Sequence, residues 1–189
     1  MNVSRCLAAV ALCATLLHAQ DRIPPAGPKT RIEAFESQAG TVVIRGFSKA
    51  GEMRGVYGGV VTVQSIEFTD ATTGKKEYGI TIDVKETDRL ERSNRSFIDY
   101  DEIAAFLKGI DYVAKVDGSV TKLDNFQADF RTKGDFEISI FNTGKDTMAS
   151  LSSGSIGKTS LFLKISDVAK FRDFVANAKT TLDSLKAGK

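Results

Sequence analysis

The chain has 189 residues, with 26 Lys and Arg against 24 Asp and Glu and a formal net charge of +2. That balance argues against an electrostatically driven binder of nucleic acid or membrane surfaces, which carries a basic excess. The 2 cysteines and the single histidine are Cys6, Cys13 and His18. All three fall in a leader expected to be removed, so the mature chain is excluded from building a His-based triad, a cysteine nucleophile or a Cys/His zinc site.

Arg5 supplies a positive n-region, Cys6 to Leu17 an apolar h-region, and Leu17-His18-Ala19 a small-residue cleavage site. Together they predict a signal peptide over 1–19 and a secreted or periplasmic protein. The apolar run is shorter than the ~20 residues a membrane-crossing helix needs, and no later stretch qualifies as a transmembrane segment. A lipid anchor on Cys13 is disfavoured because Leu12, not a small residue, precedes it. The remainder, on the order of 170 residues, suits one domain over 41–189 that buries its core without disulfides. All 3 prolines lie between Ile23 and Pro28, which reads as a spacer within 20–40. Thr30-Arg31-Ile32-Glu33 then has capping-box spacing and opens a short helix with Ile32 and Phe35 on its apolar side.

From Thr41 the period changes to two. Strands are expected over Thr41–Phe47, Val60–Thr69, Tyr78–Val84 and Ser96–Ile98, with Gly58-Gly59 marking a bulge. Asp99 then stands as the N-cap of a helix, with Glu102 three residues on and a stripe of Ile103, Phe106, Leu107, Ile110 and Val113 that ends near Gly118. A second set of strands follows at Phe126–Phe130, Phe136–Ile140, Met148–Ser152 and Thr159–Ile165, with Lys133-Gly134 as a hairpin turn. Ser166 is expected to cap a last helix striped by Val168, Phe171, Val175, Ala178, Leu182 and Leu185.

The halves 41–118 and 119–189 read as one unit used twice. A shift of about 65 positions lays Ile103 on Val168, Phe106 on Phe171 and Ile110 on Val175. Convergent patterning of two amphipathic helices is the alternative. Each half runs four strands and then a helix, which predicts the α+β class: antiparallel sheets with helices on one face. In its order of elements the chain resembles the tandem four-strand-plus-helix repeats of the whirly and Pur families, which bind single-stranded nucleic acid. The resemblance implies paired sheets and that activity by topology alone; export and near-neutral charge weigh against nucleic acid as a partner.

Asp99, Asp101 and Glu102 form the densest carboxylate group. Paired carboxylates run glycoside hydrolysis or hold calcium, but acidic residues at a helix start more commonly cap its amides. Gly154-Ser155-Ile156-Gly157-Lys158-Thr159 ends like a phosphate loop, yet Ser152 stands where the first glycine belongs and a strand follows, so a plain turn is expected. No cofactor is expected. Asp88 to Arg95 interleaves three arginines with acids and reads as a solvated loop, and Lys49 and Arg54, near Phe47 and Tyr57, read as glycine-flanked loop residues. Phe141 and Phe162 lie out of phase with the inward residues of their strands and suggest self-association through a sheet face. The expected function is a non-catalytic exported binding or structural module; the alternatives are a carboxylate-dependent, glycosidase-like enzyme and a single-strand binder.

Overall fold

The computed structural model describes residues 27–87, 91–144 and 146–188. The predicted leader over 1–19, the first part of the predicted spacer and Asp88 to Leu90 lie outside these residues. After the short helix α1 (Arg31–Glu36) come β1 (Val43–Gly55), β2 (Gly58–Asp70), β3 (Lys76–Glu86), β4 (Arg92–Asp99) and helix α2 (Ile103–Val113). The pattern then repeats as β5 (Gln127–Arg131), β6 (Phe136–Thr143), β7 (Asp146–Ser153), β8 (Thr159–Lys164) and helix α3 (Val168–Lys186). Each set of strands is an antiparallel meander, in the order β1-β2-β3-β4 and β5-β6-β7-β8. The α+β class and the twofold use of four strands and a helix are thus observed.

The helices cross over between the halves. α3 lies on β1, β2 and β3, α2 lies on β5 and β6, and the two helices touch each other. Each sheet therefore has its apolar inner face covered by the helix of the other half. One core results, in which Val63, Ile80 and Ile82 meet Ile138, Leu151 and Leu163 around the helices. Phe106 of α2 sits at its centre, with ring centroids 5.9, 5.6 and 6.3 Å from Phe130, Phe136 and Phe171. Those distances suit edge-to-face and offset packing, which adds to the area buried. Buried hydroxyls of the core are paired: Ser65 Oγ donates to the Ala178 carbonyl at 3.1 Å, and Ser96 and Ser153 share a hydroxyl bond at 2.7 Å between the sheets.

A second, smaller cluster forms on the opposite face of the first sheet. Period-two alternation turns Val61 and Val63 inward, while Ile66 and Phe68 face outward and meet Ile32 and Phe35 of α1 and Phe97 of β4. The predicted capping box is present, with Thr30 accepting from the Glu33 N–H and Glu33 reaching back to the Thr30 N–H.

Three local expectations are corrected. β1 runs on to Gly55, well past Phe47, so Lys49 and Arg54 lie on a strand and not in a loop. Gly58 and Gly59, with φ of 92° and 71°, do mark a bulge as expected: the register shifts between Arg54, opposite Val60, and Gly55, opposite Gly58, and a further shift lies between Lys49 and Gly51. Neither Asp99 nor Ser166 caps the helix assigned to it, because α2 follows Glu102 without a side-chain cap and a 3₁₀ turn, Ile165–Asp167, leads into α3. Leu185, the last residue of the expected stripe, is 45% exposed near the end of α3.

Candidate functional site

Asp99, Asp101 and Glu102 meet at one corner, where α1, the end of β4, the start of α2 and the β5–β6 turn converge. Asp99 is buried and accepts from the main-chain N–H groups of Arg31 at 3.0 Å and Ile32 at 3.2 Å. With Thr30 taking the Glu33 N–H at 3.1 Å, the first three amides of α1 are satisfied. Asp101 holds the Arg31 guanidinium through two bonds of 2.9 and 2.8 Å, and that hydrogen bonding keeps its carboxyl below the usual range. Glu102 accepts the Lys133 N–H through Oε1 at 2.9 Å, while its buried Oε2 meets no donor among the described residues. The three residues thus join elements that are distant in sequence.

The other surface of interest is the outer face of β1–β4. Strand pairing sets Phe47 beside Ile66 and Lys49 beside Gln64, then carries the second row across to Thr81 and Phe97. Phe47 is 71% exposed. It walls a cleft of about 220 Å³ floored by Ile66, Phe68 and Phe97, with Arg45 and Arg95 at the rim. α1 closes one end, since Glu36 pairs with Arg45 at 2.6 Å, and the Arg45 guanidinium lies 5.4 Å from the Phe68 ring centroid. Arg95 pairs with Asp83 at 2.6 Å, Lys85 with Glu91 at 3.0 Å and Lys49 with Glu52 at 2.7 Å. The hydrogen bond from Lys49 lowers the Glu52 pKa. This face is therefore aromatic and rich in guanidinium groups but close to electrically balanced.

On the outer face of β5–β8, Phe141 and Phe162 lie together, with ring centroids 6.3 Å apart. Tyr57, at the β1–β2 turn, packs on Phe162 at 5.8 Å, and the Val56 N–H donates to the Phe162 carbonyl at 2.8 Å. The hairpin of the first sheet thus reaches over the edge of the second and covers part of the Phe162 ring. Gly154 to Lys158 form the turn between β7 and β8, as the interrupted phosphate-loop pattern suggested.

Lys49 and Arg54 look like loop residues in the sequence because Gly51 and Gly55 suggest a loop. Those glycines are required within the strand: a Cβ at Gly51 would enter the Phe174 ring of α3, and one at Gly55 would strike Leu161 of β8. The alternation from Val43 to Lys49 was a usable signal, and the extra residue at the register shift hid its continuation. No protein-family model, curated protein or solved structure compared with the chain matches it.

Proposed function

We propose that the protein is an exported, non-catalytic binding module that uses the outer face of β1–β4 to hold a compact ligand with a ring-sized apolar body and an anionic end. The exposed Phe47 above the Ile66, Phe68 and Phe97 floor carries this reading, because apolar surface left open in a cleft lowers its free energy when a ligand covers it. Arg45 and Arg95, both half exposed at the rim, supply the donors for the anionic end. The paired cations of this face favour a small ligand over a polyanionic strand, whose affinity arises from releasing counterions from its phosphates. A carboxylate-dependent reaction has less support, since Asp99 and Asp101 both bind α1 and neither lines the cleft. Self-association through Phe141 and Phe162 is weakened in turn by the Tyr57 ring on Phe162.

The test uses 8-anilinonaphthalene-1-sulfonate, which has an apolar double ring and a sulfonate, on the product collected outside the cytoplasm, whose mass should place its first residue at Gln20. Saturable fluorescence with one site per chain is expected. Phe47→Ser and Arg95→Ala should each weaken it about tenfold, the equivalent of roughly 1.4 kcal/mol, with the thermal midpoint retained. Equal binding by both variants, or none by the unmodified chain, would defeat the assignment.

A further inference from the structure

Every open sheet leaves edge strands, and an unblunted edge pairs with other chains. Three of the four edges here are blunted. β8 has its Phe162 carbonyl taken by the Val56 N–H and its Ser160 N–H taken by Glu86 at 2.7 Å. β4 lies against β7 and β8, with the Asn94 amide bonded to the Gly157 carbonyl at 2.8 Å. β5 is short and carries Gln127, Asp129 and Arg131 on one face. β1 differs: it is 13 residues long, exposes Ile44 and Phe47 and follows the exposed Val42, and among the described residues no main-chain bond reaches outward between Val43 and Lys49.

We propose that β1 is self-complementary and that two copies of the chain pair through it, antiparallel, about a twofold axis at Gly46. The Ala71 N–H bonds to the Val42 carbonyl. By alternation, Val42, Ile44, Gly46 and Ser48 turn their main-chain groups toward β2, while Val43, Arg45, Phe47 and Lys49 turn theirs to the free edge. A twofold axis at Gly46 sets Arg45 opposite Phe47 of the second copy and Val43 opposite its Lys49, each pair formed twice and each with both main-chain donors and acceptors facing. Guanidinium meets aromatic ring and an aliphatic stem meets valine, so no like charges oppose one another. Centring on Arg45 sets that arginine against its own copy, and centring on Phe47 sets it against Lys49. Centring on Ser48 drives the pairing into the register shift after Lys49, and centring on Ile44 shortens the overlap to the start of the strand.

The inner face agrees independently. The Gly46 register places Ile44, 56% exposed, opposite Ser48 of the second copy. Ser48, Thr181 and Leu185 line an apolar cleft of about 250 Å³ at that point. Each copy thus inserts Ile44 into the other's cleft and covers Leu185, which is 45% exposed alone. A shared patch on both copies is what a closed twofold interface requires. The pairing shares Arg45 and Phe47 with the rim of the proposed ligand cleft, but its readout is mass and not dye binding, so either proposal can fail without the other.

In the full chain carrying Cys6→Ser and Cys13→Ser, Gly46→Cys introduces the only thiol. A Cβ there has room, its nearest neighbour lying 3.9 Å away in Glu67. Across the axis the Cα atoms approach to about 4.5 Å, within disulfide range. Oxidation should therefore convert Gly46→Cys to a covalent dimer, while Ser48→Cys in the same background, facing Ile44 instead of itself, stays largely monomeric. Sedimentation velocity should give a dimer for the unmodified chain and a monomer for Ile44→Lys with an unchanged circular dichroism spectrum. A monomeric unmodified chain, whether free or with a foreign peptide on the edge, would overturn the proposal. So would equal cross-linking of the two cysteine variants.

Discussion

Arg31 with Asp101 and Arg172 with Asp111 tie elements together through carboxylates, and Lys179 with Asp183 forms a pair within α3. In each the hydrogen bond from the cation holds the carboxyl below its ordinary range. A lowered native pKa means that the stabilisation is present above the unfolded value, near 3.9 for aspartate, and is lost as the pH falls through the native value. The melting temperature should therefore stay level from neutral pH down to that range and drop below it. Asp101→Asn combined with Asp111→Asn should lower the neutral melting temperature and make the acid drop shallower, so that variant and parent converge in acid. A gap that stays constant with pH, followed by calorimetry, would contradict this account. The Thr30–Glu33 box was legible at this scale because capping is local, spanning only residues 30 to 33. The partners of Asp99 were not, since Arg31 and Ile32 are separated from it by 68 and 67 positions.

The β5–β6 turn illustrates the element scale. Lys133-Gly134 was readable as a turn, but Gly134 also presses on β4, where a Cβ would collide with the Phe97 carbonyl oxygen. Gly134→Ala should cost about 1–3 kcal/mol, as overpacking against main chain does. Gly118→Ala, with nothing within 4 Å, should change stability by less than about 0.5 kcal/mol. Chemical denaturation of both variants checks the contrast, and equal losses would remove the docking role of the turn. Strands and helices themselves followed from hydrophobic period: Val168, Phe171, Val175, Ala178 and Leu182 are all buried, as their spacing demanded. The length of β1 was obscured because a glycine that yields space to Phe174 looks, in one dimension, like a glycine that bends a loop.

At the scale of the whole molecule, the exchange of helices has a consequence for cooperativity. Residues 27–118 alone would leave the inner face of β1–β3 without α3, and residues 119–188 would leave β5 and β6 without α2. Each fragment should be unfolded by circular dichroism and the mixture should regain helix and sheet signal; a cooperative melt of either fragment alone would refute the shared core. Local periodicity was enough to establish the α+β class, the order of elements and the residues that turn inward, because those depend on neighbours along the chain. Folding alone decided which helix covers which sheet, that Asp99 serves α1, and that Phe47 stands exposed beside a free edge. Those outcomes rest on contacts between residues far apart in sequence, which carry no period that a linear reading detects.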